Sequence, residues 1–382
     1  MQRLGIVITG YNRADSMKNL LDNLLNIRTE IEIPLEISID NGGNLELNKV
    51  VEDFVWPFGE KTVTIHSHKL GLVKHFIWAG DQTERFEHVL FLEDDLLVSP
   101  EIINYSLQLI QFYENDDNIA AASLYNPVLT EATGTKFYQL QDEFDVYFLQ
   151  QPYWGNIWFK DKWRKFKKYL ETYEEKPELL PCNVASWDRS FKKMYIQFLV
   201  ETNRTIVTPK VSVVTNNGVA GIHGGDMYAY QSQLQLEAKT YTFPTLKQSK
   251  SRYDCYEEIE SDILAYYNNE LSKYEFCVDL LGTKTTYNKP YVLTTRPSRN
   301  PILSYSSLMK PTELSIILNV KGDSKVVLSR IEDIIQDSQY EKKRRYNDIL
   351  KNYHIGLNAG FYITKYFFRT AFNMLLSKVI NR

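Results

Sequence analysis

The sequence predicts an α/β fold in which a largely parallel central sheet is flanked by helices. Short apolar, β-branched runs alternate with helical segments along the first 95 residues, a pattern typical of strand–helix–strand units. Polar residues follow each strand-like run, and ligands of parallel sheets bind beyond the carboxyl ends of the strands. The chain length of 382 residues suggests two domains, or one large domain with an appendage.

Four strands and two helices account for this alternation. The strands are predicted at residues 4–9, within PLEISIDNGGN, at 61–68 and within HVLFLEDD, and the helices at 15–27 and 71–82. In the first helix, Leu20, Leu21, Leu24 and Leu25 share one side, and Asp15 or Ser16 is the expected N-cap. Farther along, a mixed-charge helical stretch is expected near 253–275, and a strand, a turn and a helix are expected over 313–338.

Composition argues against several classes of protein. A net charge of −4 argues against a generally basic nucleic-acid binder. The three cysteines, Cys182, Cys255 and Cys277, are far apart and odd in number, so they indicate a reducing compartment rather than disulfides or a zinc site. The N-terminus lacks a signal-sequence pattern, and no apolar run approaches the ~20 residues that span a bilayer. A cytoplasmic location is therefore predicted.

Known nucleotide-binding motifs are missing as well. The sequence contains neither a P-loop nor the glycine-rich dinucleotide motif. This argues against a P-loop NTPase and against a dinucleotide-binding Rossmann domain.

Three consecutive acids, Glu93, Asp94 and Asp95, stand between two apolar runs in HVLFLEDDLLVSP. Adjacent carboxylates repel each other, and apolar neighbours worsen this by desolvating them. A divalent cation would relieve the repulsion, and carboxylate oxygens suit Mg²⁺ or Mn²⁺. The alternative is a solvated surface turn. If the acids form a metal site, the empty site is expected to be strained or loosely ordered.

Two further polar segments follow the second and third predicted strands. Asp40 could accept hydrogen bonds from a nucleotide base or ribose, although Asn-Gly after it also suits an ordinary turn. In SHKLGLVKHF, Lys69, Lys74 and His75 could face a phosphate or a sugar. The alternative for this segment is a helix start with exposed lysines.

Two candidates lie in the middle of the chain. Asp188, in ASWDRSF, is a candidate general base, since burial beside a tryptophan would raise the pKa of its carboxyl group. The alternative is that Asp188 or Ser186 caps the following helix. His223, in GVAGIHGG, is either an ordinary loop residue or a side chain that reaches a phosphate or a metal.

These pieces, in this order, resemble nucleotide-sugar glycosyltransferases of the GT-A fold. VITGYNR, SIDNGG and LEDD look like the nucleotide-binding start, the base-binding acid and the DxD-type metal motif of that fold. FLEDDLLVSPEIINYSLQLI resembles the corresponding region of the eukaryotic N-acetylglucosaminyltransferase I family. AASLYNPV, YWGNIWFKDKW, WDRSF and GIHGG then follow in that family's order. The resemblance covers about residues 4–226 and departs at Arg189, where the family has a second acid.

The resemblance implies a role for most of the candidate residues. Arg13 and Asp40 would contact the uridine, Glu93 the donor sugar, Asp94 the ribose or sugar, and Asp95 the metal, with Asp188 the catalytic base and His223 a loop residue over the pyrophosphate. Lys74 is a further candidate donor contact from the residues alone. Residues 1–110 would then be the nucleotide-sugar-binding half, 111–245 the acceptor-binding half, and 246–382 an α-rich C-terminal extension.

The implied activity is an inverting, metal-dependent glycosyl transfer. Mn²⁺ or Mg²⁺ would assist transfer of GlcNAc or a related hexose from a UDP-sugar to a hydroxyl of a saccharide or lipid-linked saccharide. The expected setting is synthesis of a surface polysaccharide such as capsule or lipopolysaccharide. The rival hypotheses are a nucleotidyltransferase that makes NDP-sugars and a non-catalytic carbohydrate-binding protein.

The C-terminal segment, 355–382, carries its own hypothesis. It is apolar and aromatic, with Lys365, Arg369, Lys378 and Arg382 and no acid. Such a segment suits a peripheral helix at the inner face of the cell membrane. A packed terminal helix or a homo-oligomer contact is the alternative.

Overall fold

A nine-stranded sheet forms the centre of the fold. The computed structural model of the chain describes residues 3–41, 44–188, 190–218 and 228–335, together with 360, 361, 364–366 and 368. Its strands are β1 (Leu4–Gly10), β2 (Leu35–Ile39), β3 (Lys61–Ile65), β4 (His88–Glu93), β5 (Leu96–Val98), β6 (Ile119–Ser123), β7 (Val146–Leu149), β8 (Asn156–Phe159), β9 (Thr205–Pro209), β10 (Val214–Asn216), β11 (Arg252–Tyr253), β12 (Phe276–Asp279), β13 (Tyr291–Thr294), β14 (Leu303–Tyr305) and β15 (Val326–Arg330). The central sheet has the order β11-β7-β9-β6-β8-β4-β1-β2-β3.

Helices cover both faces of this sheet. Over the described residues they are α1 (Ala14–Leu24), α2 (Leu45–Asp53), α3 (Leu72–Asp81), α4 (Ile102–Tyr113), α5 (Lys160–Leu170), α6 (Cys182–Ala185), α7 (Phe191–Glu201), α8 (Ser261–Tyr267) and α9 (Glu313–Ile317). Alternate residues of β1 point into two separate cores. Ile6 and Ile8 pack in the core lined by α1, α2 and α4, whereas Val7 packs with residues of α3, α5 and α7. The predicted α/β architecture is therefore confirmed.

The parallel part of the sheet is the part that the sequence predicts. β3, β2, β1 and β4 lie side by side and run parallel. Every residue of β1 and β2 is buried, as expected of strands covered on both faces. Beyond β4 the sheet becomes mixed, because β8 runs antiparallel to both β4 and β6. All parallel pairs together still outnumber the antiparallel ones.

Residues 246–335 differ from the predicted α-rich extension. β11 pairs with β7 and so belongs to the central sheet. β12, β13, β15 and β14 form a separate four-stranded sheet. The mixed-charge stretch near 253–275 contains only the seven-residue α8 as α-helix.

The prediction for 313–338 has its elements in the wrong order. The helix α9 comes first, and the strand β15 follows it. Within β15, Val326 and Val327 begin a run that pairs with both β13 and β14, which suits β-branched side chains. The preceding segment ELSII, in which a strand is predicted, instead forms the short helix α9.

Helix starts also differ from prediction. Arg13, rather than Asp15 or Ser16, is the N-cap of α1, and its side chain makes no capping hydrogen bond. Ser190 caps α7 by accepting a hydrogen bond from the backbone N–H of Lys193 at 3.4 Å. The capping role proposed for Asp188 or Ser186 is therefore wrong.

No helix among the described residues is long and apolar enough to cross a membrane. Most of the segment 355–382 lies outside the described residues. The membrane-surface hypothesis for this segment stays a prediction.

Candidate active site

The polar residues that follow the parallel strands converge at one edge of the sheet. The backbone N–H of Asp94 donates to the carbonyl of Thr9 (3.1 Å), and the N–H of Asp40 donates to the carbonyl of Gly10 (2.9 Å). The two acids therefore flank the end of β1. Arg13 follows β1 by three residues and lies at the same place. The topology thus brings Arg13, Asp40 and the acid triplet together, as the sequence predicts.

Arg13 neutralises two of the three consecutive acids. Its Nη1 donates to Oδ2 of Asp95 at 2.9 Å, and its Nη2 donates to Oδ1 of Asp94. The Asp94 side chain is almost fully buried, whereas the Arg13 side chain is 28% exposed. A guanidinium therefore balances part of the negative charge of the triplet, and the expectation of a strained or loosely ordered metal-free site stays a prediction.

Burial changes the protonation of the triplet. Desolvation raises the pKa of Asp94 to about 6, although Arg13 opposes the shift. Desolvation likewise raises the pKa of Glu93, and the charges of Asp95 and Asp94 raise it further. Among the described residues, no hydrogen bond reaches the Glu93 side chain. Glu93 therefore keeps its proton more readily than Asp94 does.

Asp95 has the features of a metal ligand. Its Oδ1 atom is buried and has no hydrogen-bond partner among the described residues. The described chain provides no cluster of three or more His, Cys, Asp or Glu that could hold a metal by itself. Mg²⁺ and similar ions commonly bind through one or two carboxylates plus substrate phosphates. Asp95 therefore fits a divalent cation that is shared with a phosphate-bearing ligand.

Asp40 braces a turn within the protein. Its carboxylate accepts hydrogen bonds from the backbone N–H groups of Leu70 (2.6 Å), Gly71 (2.9 Å) and Asn41 (2.9 Å). Burial raises the pKa of Asp40, but these hydrogen bonds outweigh burial and leave it below its usual value. Gly71 has a φ of 78°, which favours glycine. Asp40 thus fixes the start of α3, and its contact with a uridine stays a prediction.

Two histidines, the buried His75 and the partly buried His66, meet beside Asp40. Oγ of Ser38 lies 2.7 Å from Nε2 of His75 and 2.9 Å from Nε2 of His66. Burial lowers the pKa of His75 to about 4, so this imidazole is neutral at pH 7. His75 therefore points into the protein rather than outward, while Lys74 on the same helix is exposed. Ser38 lies on β2 and His75 on α3, and no pattern in the sequence predicts that their side chains meet.

Asp188 lies in the short connection between α6 and α7. Its side chain is exposed, so the expected burial beside Trp187 is wrong. The connection itself is held firmly, since Nζ of Lys193 donates to the carbonyls of Ala185 (2.8 Å) and Trp187 (3.0 Å). Asp188 is therefore an exposed residue on a fixed connection, and its role as a base stays a prediction.

Aromatic side chains lie near the carboxyl end of β4. Asn156, at the start of β8, is in register with Phe91 of β4, two residues before Glu93. Trp154 precedes Asn156 by two residues, and its ring centroid lies 4.9 Å from that of Tyr125 and 6.3 Å from that of Tyr230. Trp154 and Tyr125 lie in two of the segments that carry the family resemblance, YWGNIWFKDKW and AASLYNPV, whereas Tyr230 reaches this place through the fold without a sequence signal.

The segment of His223 begins beside the acids. β10 pairs antiparallel with β5, and the backbone N–H of Asn217 donates to the carbonyl of Asp95 at 2.8 Å. His223 itself lies outside the described residues. Its role stays a prediction.

Known proteins similar to this chain include a plant enzyme. No protein-family model matches the sequence. The chain is 27% identical over 136 residues to an alpha-1,3-mannosyl-glycoprotein 2-beta-N-acetylglucosaminyltransferase of Arabidopsis thaliana. The match spans 32% of this chain and 30% of the relative, so the chain spans under a third of the length of the curated relative that it matches. The predicted resemblance to this enzyme family is confirmed as a distant similarity.

Solved structures with similar folds include two bacterial or archaeal proteins. S. aureus TarS (residues 1–349) in complex with UDP-GlcNAc matches with a TM-score of 0.40 and 15% identity, over 58% of this chain and 60% of that one. The mannosyltransferase PcManGT of Pyrobaculum calidifontis, in complex with GDP-Man and Mn²⁺, matches with a TM-score of 0.37 and 10% identity, over 54% of each chain.

Proposed function

We propose that the protein is a nucleotide-sugar glycosyltransferase of the GT-A type. The observation that carries the proposal is the triplet at the carboxyl end of β4, where Asp95 keeps a buried oxygen without a hydrogen-bond partner among the described residues. Support comes from the distant similarity to a plant N-acetylglucosaminyltransferase. Residues 1–110 would bind the donor, and residues 111–245 would bind the acceptor.

The proposed donor is a UDP-sugar that carries GlcNAc or a related hexose. Asp95 would hold Mn²⁺ or Mg²⁺, which supplies charge neutralisation at a leaving diphosphate. Glu93 and Asp94 would meet hydroxyls of the sugar or ribose, while Arg13 and Asp40 would lie at the uridine. The raised pKa of Glu93 supports a hydrogen-bond donor at that position, because a protonated carboxyl group can donate to a hydroxyl oxygen.

The proposed reaction is a single displacement with inversion. An acceptor hydroxyl attacks the anomeric carbon of the donor, the bond from that carbon to the diphosphate oxygen breaks, and UDP leaves. The carboxylate of Asp188 takes the hydroxyl proton during the attack, a role that its exposure permits. General-base assistance of this kind contributes roughly 10²–10⁴-fold to a rate.

The proposed acceptor is a hydroxyl of a saccharide or a lipid-linked saccharide. The half-buried ring of Trp154 and the exposed ring of Tyr230 support this, since sugar rings pack well on aromatic faces. Synthesis of a surface polysaccharide is the setting that we propose.

A UDP titration with and without Mn²⁺ tests the proposal. We expect Mn²⁺-dependent binding in the wild-type protein, and a loss of at least tenfold in affinity in Asp95→Ala. Asp117→Ala is the matched control, because Asp117 is an exposed acid that pairs with Lys165 away from the site. Metal-independent, unchanged binding in Asp95→Ala would contradict the metal assignment.

A donor screen then separates the rival functions. UDP release is measured with UDP-GlcNAc, UDP-GalNAc, UDP-Gal and UDP-Glc, with a range of saccharide acceptors. Release of pyrophosphate from UTP and a sugar 1-phosphate would instead identify a nucleotidyltransferase. Saccharide binding without UDP binding or turnover would identify a carbohydrate-binding protein.

A further inference from the structure

A turn from the C-terminal part of the chain packs beneath the connection that carries Asp188. Cys255 and Tyr256 form a buried cluster with Leu180 and Val184, and Trp187 packs against it. The hydroxyl group of Tyr256 donates to the carbonyl of Leu180 at 3.1 Å. Residues 254–258 therefore support the Trp187 connection from below, although they lie about 70 positions away in sequence.

Glu257 in this turn is buried and turned inward. Its Oε1 accepts a hydrogen bond from the hydroxyl of Tyr153 at 2.5 Å, and its Oε2 accepts one from the backbone N–H of Glu131 at 2.9 Å. Its φ is 62°, a left-handed conformation that residues other than glycine adopt infrequently. The hydrogen bond from the N–H of Asp254 to the carbonyl of Glu258 (2.9 Å) closes the turn around it.

Burial raises the pKa of the Glu257 carboxyl group and the charge of Lys192 opposes that shift, but Lys192 pairs directly with Glu131 instead. Among the residues that the structure describes, no lysine or arginine forms an ion pair with it. A buried carboxylate without such a partner is costly, and the two hydrogen bonds offset only part of that cost. A role in organising its neighbours explains why an acid stands at this position.

The two partners of Glu257 both contact Lys192 near the start of α7. Nζ of Lys192 lies 4.1 Å from the ring centroid of Tyr153 and donates to Oε2 of Glu131 at 2.7 Å. The same amino group lies 6.0 Å from the ring centroid of Trp187, the neighbour of Asp188. A continuous set of contacts therefore joins Glu257 to the connection that carries the proposed base.

We propose that Glu257 is a positioning residue that fixes the acceptor side of the site through Tyr153, Glu131 and Lys192. This inference rests on the proposed function, since it presumes that Asp188 acts on an acceptor. The ionised carboxylate accepts from both partners, whereas a protonated one keeps fewer acceptor sites for them. The C-terminal part of the chain thus completes a site whose other residues all precede it.

Protonation of Glu257 falls in a measurable range. Burial raises the pKa of its carboxyl group to about 7, against the opposing hydrogen bond from Tyr153. The charged or titratable groups that face it are Glu131, Lys192, Tyr153 and Tyr147. We therefore expect transfer to decline as the pH falls below about 7, in step with protonation of Glu257.

Glu257→Gln tests the proposal, because it keeps the shape of the side chain but removes the charge. We expect kcat/KM for the acceptor to fall at least tenfold, the donor KM to stay within twofold, and the decline of activity below pH 7 to disappear. Tyr153→Phe should act in the same direction, and the double variant should be no worse than Glu257→Gln. Tyr153→Phe also provides the test if Glu257→Gln does not fold.

Glu258→Gln is the matched control. Glu258 is equally buried but accepts from the N–H of Leu281 (2.6 Å) in the C-terminal part. Equal losses in Glu258→Gln and Glu257→Gln would overturn the proposal, because they would indicate general destabilisation. Wild-type acceptor kinetics and an unchanged pH profile in Glu257→Gln would overturn it as well.

Hydrogen exchange provides a readout that does not depend on activity. Amides in peptides that contain Trp187 and Lys192 should exchange at least threefold faster in Glu257→Gln than in the wild type, with no change in Glu258→Gln. If the wild type transfers no sugar, the proposed function fails while this comparison still decides the role of Glu257. Unchanged exchange in Glu257→Gln would overturn the positioning role.

Discussion

Two sides of the candidate site are built in different ways. The proposed donor side, with Arg13, Asp94 and Asp95, stands at the ends of neighbouring parallel strands, and its charges are paired and largely buried. The proposed acceptor side, with Trp154 and Asp188, stands on connections and antiparallel strands, and Asp188 is exposed. Substitutions on the proposed donor side should therefore lower the stability of the fold strongly, whereas substitutions on the proposed acceptor side should mainly lower the rate of transfer. Each of the following predictions tests this difference.

The largest effect is expected on the acceptor side. Asp188→Asn should lower the transfer rate by roughly 10²–10⁴-fold, the usual contribution of a general base. Its melting temperature should stay within about 1 °C of wild type, because surface substitutions seldom affect stability. Steady-state kinetics and thermal unfolding provide the two measurements. Asp161→Asn, at another exposed acid, is the control; a loss of UDP binding in Asp188→Asn would mean that Asp188 has a structural role.

The largest effect on stability is expected on the donor side. Arg13→Gln should lower the free energy of unfolding by about 1–3 kcal/mol, below the ~3–5 kcal/mol of a fully buried pair, because 28% of the Arg13 side chain is exposed. The loss should be larger at pH 8 than at pH 5, where Asp94 can take up a proton. Urea unfolding at the two pH values measures it.

Arg3→Gln is the control for this prediction. Arg3 pairs with Glu114 at the opposite edge of the sheet, and its side chain is 58% exposed. Its loss should cost under about 1 kcal/mol. If the free energy of unfolding falls equally in Arg13→Gln and Arg3→Gln, the ion pairs of Arg13 stabilise the fold no more than an ordinary surface ion pair does, which would contradict the prediction.

A smaller effect is expected at Lys74. A single exposed cation near a phosphate is worth about 1 kcal/mol in water, so Lys74→Ala should weaken UDP binding roughly fivefold at low salt. The effect should shrink at high salt because exposed charges are screened. Calorimetric titration at two salt concentrations measures both. Lys165→Ala, at a lysine paired with Asp117, should bind UDP normally; the same loss there would mean that only net charge matters.

The smallest effect concerns Glu93. In the unfolded chain, Glu93 loses its proton above its ordinary pKa of 4.5, whereas the folded chain retains this proton to higher pH. The unfolded state is therefore increasingly favoured as the pH rises above 4.5, so Glu93 progressively lowers the free energy of unfolding. Glu93→Gln removes this penalty. Its melting temperature should exceed that of wild type by more at pH 8 than at pH 5, on the order of 1–2 °C. Glu87→Gln, at an exposed acid, should show no such pH dependence.

The sequence predicts the donor side well because chain topology alone assembles it. The carboxyl ends of parallel strands meet at one edge, so a residue after β1 and a residue after β4 must be neighbours. Placing Arg13, Asp40 and Asp95 together therefore needs only the strand assignment. The sequence pattern does not predict which of these side chains pair with each other. Arg13 forms hydrogen bonds with the acids, whereas the carboxylate oxygens of Asp40 accept hydrogen bonds from the turn at Gly71.

The acceptor side is predicted less well because it depends on packing between distant segments. The motif WDRSF marks Asp188 in the sequence, but the exposure of that side chain follows from how the connection rests on Cys255 and Tyr256. Glu257 stands in a stretch whose charges suggest a helix, and the isolated bridge between Tyr253 and Ile259 makes it a turn instead. The spacing of apolar residues in the sequence predicts neither the packing beneath the Trp187 connection nor the turn at Glu257.

The guanidinium between Asp94 and Asp95 has a consequence for how the protein matures. A structural metal site is unfolded until its ion arrives, whereas this chain brings its own tethered counter-ion and can fold before any metal is present. Under the proposed function, a divalent cation would compete with a guanidinium that cannot diffuse away, so it would bind firmly only when the phosphates of the donor add their own charge. Affinity for metal would thus belong to the donor complex rather than to the protein alone, and chelators should abolish the proposed sugar transfer without unfolding the protein.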